Sequence, residues 1–382
     1  VEGRIAIECQ ALRNGSGTTR IVQALASGLA GAGFEIDLYA ESVQAAAMAG
    51  PGVRWQRLAP FPLGERFLRK SFGGAWVGTL KQKRIARANY GLIIGNRHLA
   101  AADLFLVHNV YARELDELGA TADDHQRRLL IEQRRVLDGG QVHCFVANSE
   151  LAARELEQRH GIRRDRCAVI YPGHDPDRFC LAQRHRLRAA ARRELGLNDG
   201  QLLAGFVTSG NFPLRGSDIF VDTLAGLSSA ASKALVVLCL GSKANTRRFA
   251  ERMRRQCPGI RLVTRSRSGA IESFYAALDL LFHPARFETF GLVPMEAAAF
   301  GTPVLTSWNT GAAEILGEPR SGMIARTATA EAFLPLLQQL LTRPDERHAL
   351  AARQTAAVKP YTWDSYTRTF LDLIRKRKLL QP

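Results

Sequence analysis

Short apolar runs alternate along the chain with stretches in which apolar side chains recur every three or four positions. The first pattern reads as buried strands and the second as amphipathic helices. Residues 4–9 form the first such run, followed by a loop over 10–19 that contains Gly15, Ser16 and Gly17. A helix with Ile21, Leu25 and Leu29 on one face comes next, then a strand over 34–39. This strand-loop-helix-strand unit opens a doubly wound parallel sheet. Further strands are predicted at 92–95, 104–108 and 143–148, and 169–173 reads as the crossing into a second domain. The second half repeats the pattern with strands at 202–208, 234–240, 261–264, 278–283 and 303–306. After Tyr361, Thr362 and Trp363 a last amphipathic helix runs to about residue 375, with Tyr366, Phe370, Leu373 and Ile374 on its apolar stripe. A chain of 382 residues exceeds what one core serves. The expected organisation is therefore α/β in two Rossmann-like domains, 1–170 and 171–360, with a terminal helix over 361–382.

Composition narrows the class. Hydrophobic residues make up 46% of the chain, which suits a globular protein. No apolar run of roughly eighteen residues and no basic-then-apolar leader occurs, so neither a membrane span nor export is expected. The six cysteines are scattered without paired spacing, which predicts reduced thiols in a cytosolic protein. The charge is the outlier: 52 Lys and Arg against 36 Asp and Glu give +16, a field that attracts polyanions. Arg66, Arg69, Lys70, Lys81, Lys83, Arg84 and Arg87 interleave with Phe67, Phe72, Trp76, Val77 and Ile85, the composition of a segment lying on anionic lipid. A solvated helix face with its aromatics in the core is the other reading of that segment.

The chemistry concentrates around Glu288 and Glu296. The first carboxylate follows a buried strand, and the second sits in the opening turns of a helix, so both suit one ligand. Pro294 is tolerated only near a helix start, which places that start at Gly291 or Leu292. Free N–H groups and the positive end of the helix dipole there form a site for a diphosphate. One glutamate would accept from sugar hydroxyls and the other from a ribose. The helix ends at Gly301, and a short strand and a further helix opening at Gly311 to Glu314 follow.

This run, with Val146 to Ser149, Ile170 to Gly173 and the loop Gly205 to Gly216, resembles the family 4 retaining glycosyltransferases of GT-B fold. The resemblance covers nearly the whole chain. It implies two Rossmann-like domains facing a cleft, the first binding acceptor and the second the nucleotide sugar, with the last helix crossing back to the first domain. The family usually has Arg at the position of Ser209 and Lys at that of Arg215, so one cation is missing here. Lys243, Arg286 or the helix start at Gly291 would have to substitute. The same loss resembles the branch that adds glucose to the heptose of lipopolysaccharide cores.

The resemblance assigns Glu288, Arg215 and His108 to catalysis, and Gly15, Gly17, Ser209, Arg215, Phe290, Gly291, Leu292 and Glu296 to the donor. Arg20 and Asn109 are the candidates for binding the acceptor, a glycan or glycolipid with or without a phosphate, and an exposed helix face is the other reading of Arg20. His283 is expected to line the nucleotide side. Neither His-x-x-x-His nor Asp-x-Asp occurs in a site context, so no divalent ion and no cofactor beyond a nucleotide sugar, UDP-hexose first, is expected. The implied activity is hexosyl transfer in envelope glycan assembly, in the cytoplasm and peripheral to the inner membrane face. A nucleotide-sugar epimerase of the same fold, a basic nucleic-acid-binding protein and a non-catalytic scaffold are the rivals. The first needs acids and bases that the sequence does not gather, and the second an aromatic-basic recognition motif that it lacks.

Overall fold

The computed structural model describes residues 3–13, 15–44, 50–57, 74–119, 123–208, 210–266, 271–317 and 323–380. The chain divides into two compact units, Val1–Gly173 with Trp363–Pro382, and His174–Thr362.

In the first unit the strands are β1 (Arg4–Glu8), β2 (Ala11–Leu12), β3 (Glu35–Tyr39), β4 (Ser42–Val43), β5 (Val53–Gln56), β6 (Leu92–Gly95), β7 (Ala101–Val107), β8 (Gln141–Ala147) and β9 (Cys167–Val169). Seven of them form a parallel sheet in the order β5-β3-β1-β6-β7-β8-β9, while β2 and β4 pair separately. The chain moves outward from β1 in one direction and then restarts at β6 in the other, so the order reverses between β1 and β6. In open α/β sheets the crevice at such a reversal, beyond the strands' C-terminal ends, is where ligands bind. The helix Gly17–Gly31 starts directly after the glycine loop, capped by the Ser16 hydroxyl, which accepts from the Thr19 N–H. The terminal helix Trp363–Lys376 packs against it. That contact depends on Gly28, where a Cβ would lie 2.1 Å from Thr367 Oγ1. Tyr366, Phe370 and Ile374 on the terminal helix are buried, as their spacing predicts.

The second unit holds β10 (Leu202–Val207), β11 (Leu235–Gly241), β12 (Arg261–Ser266), β13 (Leu280–His283), β14 (Val304–Ser307) and β15 (Ile324–Ala325). All pair in parallel in the order β12-β11-β10-β13-β14-β15, so the reversal falls between β10 and β13. Packed rings fill the core on one side: Phe206 stacks on Phe249 at 5.3 Å between centroids, and Phe220 on Phe282 at 4.8 Å. Of the strands absent from the sequence-based reading, β5, β9 and β15 are edges of the two large sheets, and β2 and β4 are the two-residue strands that pair separately. An edge strand is short and partly wet, so it lacks the continuous apolar run that marks an interior parallel strand.

The basic segment at 66–87 needs correction. Residues 58–73, with Arg66, Phe67, Arg69, Lys70 and Phe72, lie outside the described residues. In the helix Gly74–Arg87, Val77 and Ile85 are core residues and Lys81 is fully buried, its Nζ 3.0 Å from Glu8 Oε1 and 2.9 Å from the Cys9 carbonyl. Lys81 is thus not a surface cation; of the segment's basic and aromatic residues that are described, Trp76, Lys83, Arg84 and Arg87 are exposed. Among the described residues no helix is long and apolar enough to cross a membrane, and all six cysteines are free.

Candidate active site

In the second unit, the chain leaves β10 at Val207 and β13 at His283 on either side of the reversal, and these two exits carry the site. The loop after β10 delivers Arg215. It closes on the β13 exit through the Arg286 N–H, which donates to the Leu214 carbonyl at 3.0 Å. Gly216 makes the approach feasible: at φ +72° its Cβ would fall 1.9 Å from the Pro284 carbonyl oxygen. Beyond Pro284, Glu288 is pinned by its backbone, which donates to the Asn309 carbonyl at 2.9 Å and accepts from the Gly311 N–H at 3.0 Å.

The Glu288 carboxylate then meets two partners. One oxygen is 2.5 Å from His283 Nε2, and the other is 3.3 Å from an Arg215 guanidinium nitrogen. Arg215 also donates to the Phe287 carbonyl at 3.0 Å. Burial alone would raise the Glu288 pKa, but the Arg215 charge and the His283 ring outweigh it and hold the group at about 2. An ionised acceptor with a guanidinium beside it therefore stands at the sheet reversal. The side chains of Arg215 and Glu288 keep 16% and 17% of their surface exposed, enough for a ligand to reach both. His283, expected to line the nucleotide side, is instead buried and aimed at Glu288.

The helix Leu292–Ala299 begins where Pro294 predicts, with Gly291 as its N-cap at φ +99°. Only glycine suits that backbone, which Thr310 and Pro294 also crowd. Phe290 and Leu292 are buried at this start. Glu296 is 2% exposed, and Tyr275 Oη donates to its carboxylate at 3.2 Å. Ser209 lies outside the described residues. Of its suggested substitutes, Arg286 is ruled out, because its guanidinium forks onto both oxygens of Asp218 at 2.6 and 2.5 Å. Lys243 is exposed at the start of the helix Lys243–Gln256, beyond the C-terminal end of β11.

In the first unit a cavity of about 620 Å³ opens at the C-terminal ends of β1, β6 and β7. Ser16 at the end of the glycine loop, Thr18 from the first turn of the helix behind it, and His108 and Asn109 from the β7 exit line it. Gly15 takes a φ of +79° in that loop, and Gly17 opens the helix behind it. Burial lowers the His108 pKa to about 4, so its ring is neutral at physiological pH. The Asn109 amide donates to Glu114 at 2.8 Å. Arg20, expected here, is not part of the lining: it lies on the helix beyond the loop, and the nearer cation is Arg13.

The cavity's cations were not legible from spacing. Arg97 donates to Tyr111 Oη at 2.6 Å and lies 3.5 Å from Glu132, while exposed Arg13 and Arg128 sit at the rim. Arg97 is aimed by a buried carboxylate. Glu8 at the end of β1 accepts from the backbone N–H groups of Asn96, Arg97 and His98 at 3.3, 2.9 and 3.2 Å, with Lys81 closing the cage. Burial opposes the charge on Glu8, yet Lys81 and His98 hold its pKa far below the usual range. Among the described residues no group of three His, Cys, Asp or Glu side chains is gathered for a metal ion.

Two family models match, Glycosyl transferases group 1 over residues 188–357 and Glycosyltransferase Family 4 over residues 15–178. The D-inositol 3-phosphate glycosyltransferase of Xylanimonas cellulosilytica is 30% identical over 294 residues, 73% of this chain and 68% of that protein. The chain belongs to the family 4 glycosyltransferases. Its fold is GT-B: the crystal structure of WaaG, a glycosyltransferase involved in lipopolysaccharide biosynthesis, matches with a TM-score of 0.78 at 20% identity, covering 97% of this chain and 99% of that one. Anabaena HepE in complex with UDP-glucose matches with a TM-score of 0.72 at 16% identity, covering 98% and 99%. In the curated relatives from Corynebacterium urealyticum and Nocardia farcinica, the matched region spans 64% and 49% of their length.

Proposed function

We propose that this family 4 glycosyltransferase moves a hexose, glucose first, from a UDP-linked donor to a phosphorylated sugar or polyol acceptor in envelope glycan assembly. The observation that carries the reading is the Arg215–Glu288–His283 constellation at the β10/β13 reversal, beside the Gly291 helix start. A diphosphate fits the helix N-terminus, with Arg215 as the cation that steadies it as it leaves. Glu288, ionised and oriented by His283, accepts from the hexose hydroxyls. Glu296 takes the ribose hydroxyls, which requires its carboxylate to exchange the Tyr275 contact for the ligand.

The acceptor belongs in the first-unit cavity, where Arg13, Arg97 and Arg128 suit a phosphate and neutral His108 suits a hydroxyl. The name of the Xylanimonas relative, a D-inositol 3-phosphate glycosyltransferase, supports a phosphorylated acceptor, and the likeness to WaaG keeps lipopolysaccharide core sugars in view. Retention would follow from front-face displacement. The bond from the anomeric carbon to the phosphate oxygen breaks with its electrons going to UDP, the acceptor oxygen bonds to the same face, and its proton passes to that phosphate oxygen. No divalent ion is required, because Arg215 and helix dipoles meet the leaving charge. Trp76, Lys83, Arg84 and Arg87 provide an exposed basic patch for an anionic membrane surface.

The test is calorimetry with UDP-, GDP- and ADP-glucose, followed by transfer assays on inositol phosphate and on core oligosaccharide. UDP-glucose should bind best, and Arg215→Ala should lower turnover more than donor affinity. Absence of binding by any of the three donors would overturn the reading.

A further inference from the structure

On the opposite edge of the second-unit sheet, at the N-terminal ends of β13 and β14, lies a pocket of about 320 Å³. Arg184, Arg188 and Arg347 line it with His185, His348 and one acid, Asp279. That acid is already committed. Its two oxygens serve Arg188 and Arg192, and the second also accepts from the Leu203 N–H at 2.8 Å. Glu346, close in sequence to Arg347, is bound to Arg343 and Gln339. Neither Arg184 nor Arg347 has a carboxylate partner among the described residues. Arg184 donates only to the carbonyls of Gly301 and Leu278, Arg347 only to that of Leu340, and Arg184 Nε is buried without a hydrogen-bond partner among the described residues.

Such a cluster is costly as it stands, since Arg184 and Arg347 bring charges whose hydrogen bonds go to carbonyl dipoles, which offset them only in part. The helix dipoles add to the imbalance. Arg184 and His185 stand in the first turns of the helix Leu181–Glu194, and Arg347 and His348 in those of the helix Pro344–Val358, so two positive helix ends flank the same pocket. Burial, with repulsion from Arg188, outweighs the attraction of Asp279 and lowers the Arg184 pKa to about 10.

We propose that this pocket binds a small phosphate-bearing anion, free phosphate or the phosphate of a phosphorylated sugar, at a site separate from the donor and acceptor sites. Its position also connects it to the donor site. Arg184 holds the carbonyl of Gly301, whose N–H donates to Ala298 at the end of the helix that starts at Gly291, and one four-residue strand, roughly 13 Å, separates Asp279 from His283. An anion that draws Arg184 towards itself would act directly on the anchor of that helix.

The test is a thermal-shift and calorimetric titration of the full chain with inorganic phosphate, glucose 6-phosphate, glucose and chloride at matched ionic strength. Phosphate or glucose 6-phosphate should raise the melting temperature saturably, while glucose and chloride should not. Tighter binding of glucose 6-phosphate assigns the site to a phosphorylated sugar, and equal binding assigns it to free phosphate. His185→Glu with His348→Glu, two exposed positions, places like charge in the pocket and should weaken binding about tenfold or more. Arg184→Gln should do the same, whereas Arg13→Gln, in the first-unit cavity, should leave this response intact. A response that survives the His-to-Glu exchange, one that Arg13→Gln removes, or one that chloride reproduces would overturn the proposal.

Discussion

Replacing Glu288 by Gln isolates the charge at the centre of the candidate site, because the amide keeps the shape and the backbone anchors to Asn309 and Gly311 remain. The native carboxyl is depressed from the ordinary 4.5 to about 2. At roughly 1.4 kcal/mol per pKa unit, that corresponds to about 3 kcal/mol of stability from ionised Glu288. Because the folded pKa lies below the unfolded one, this contribution is complete above pH 4.5 and is lost as pH falls towards 2. The side chain is 17% exposed and the amide retains part of the Arg215 contact, so a loss of about 1–3 kcal/mol is expected at neutral pH. In a unit of this size that lowers the melting temperature by roughly 2–4 °C per kcal/mol. Thermal unfolding of both proteins at pH 7.5 and pH 3 reads the effect directly. By pH 3 about six-tenths of the contribution should be gone, and the two curves should approach each other. Equal melting temperatures at pH 7.5, or a gap that stays constant on acidification, would show that the Arg215 and His283 contacts do not hold the carboxylate in its charged form.

Lys81→Met should destabilise the first unit by about 3–5 kcal/mol, since it strands the Glu8 carboxylate in the interior, and adding Glu8→Gln should recover part of the loss in denaturant titrations. Gly216→Ala combines a strained φ of +72° with a contact of 1.9 Å to the Pro284 carbonyl, so a loss of about 2 kcal/mol or more and weaker UDP binding by calorimetry are expected. Gly28→Val should push the terminal helix off the helix Gly17–Gly31 and speed proteolysis within residues 363–376; unchanged protection would show that Thr367 yields instead. Transfer should persist in EDTA, and complete loss restored by manganese would establish a metal requirement.

Much of the framework was fixed by local sequence. Interior parallel strands are mostly apolar runs, so β1, β6, β10, β11 and β13 could be read from hydrophobicity, and Pro294 with Gly291 marked the helix start beside Glu288. The two glutamates, the glycine loop and Arg215 stood out for the same reason: glycine, proline and a carboxylate at set spacings constrain the backbone within a few residues. What the tertiary structure decided were the partnerships across long stretches of chain. Lys81 looked like a surface cation until Glu8, 73 positions away, proved to be its buried counter-ion. Arg286 looked like a spare phosphate ligand until Asp218 claimed it across 68 positions. Arg97 and the pocket between Arg184 and Arg347 left no periodic trace at all. A charged side chain takes its function from the counter-charges and the water around it, and a parallel sheet gathers those from segments far apart in the chain.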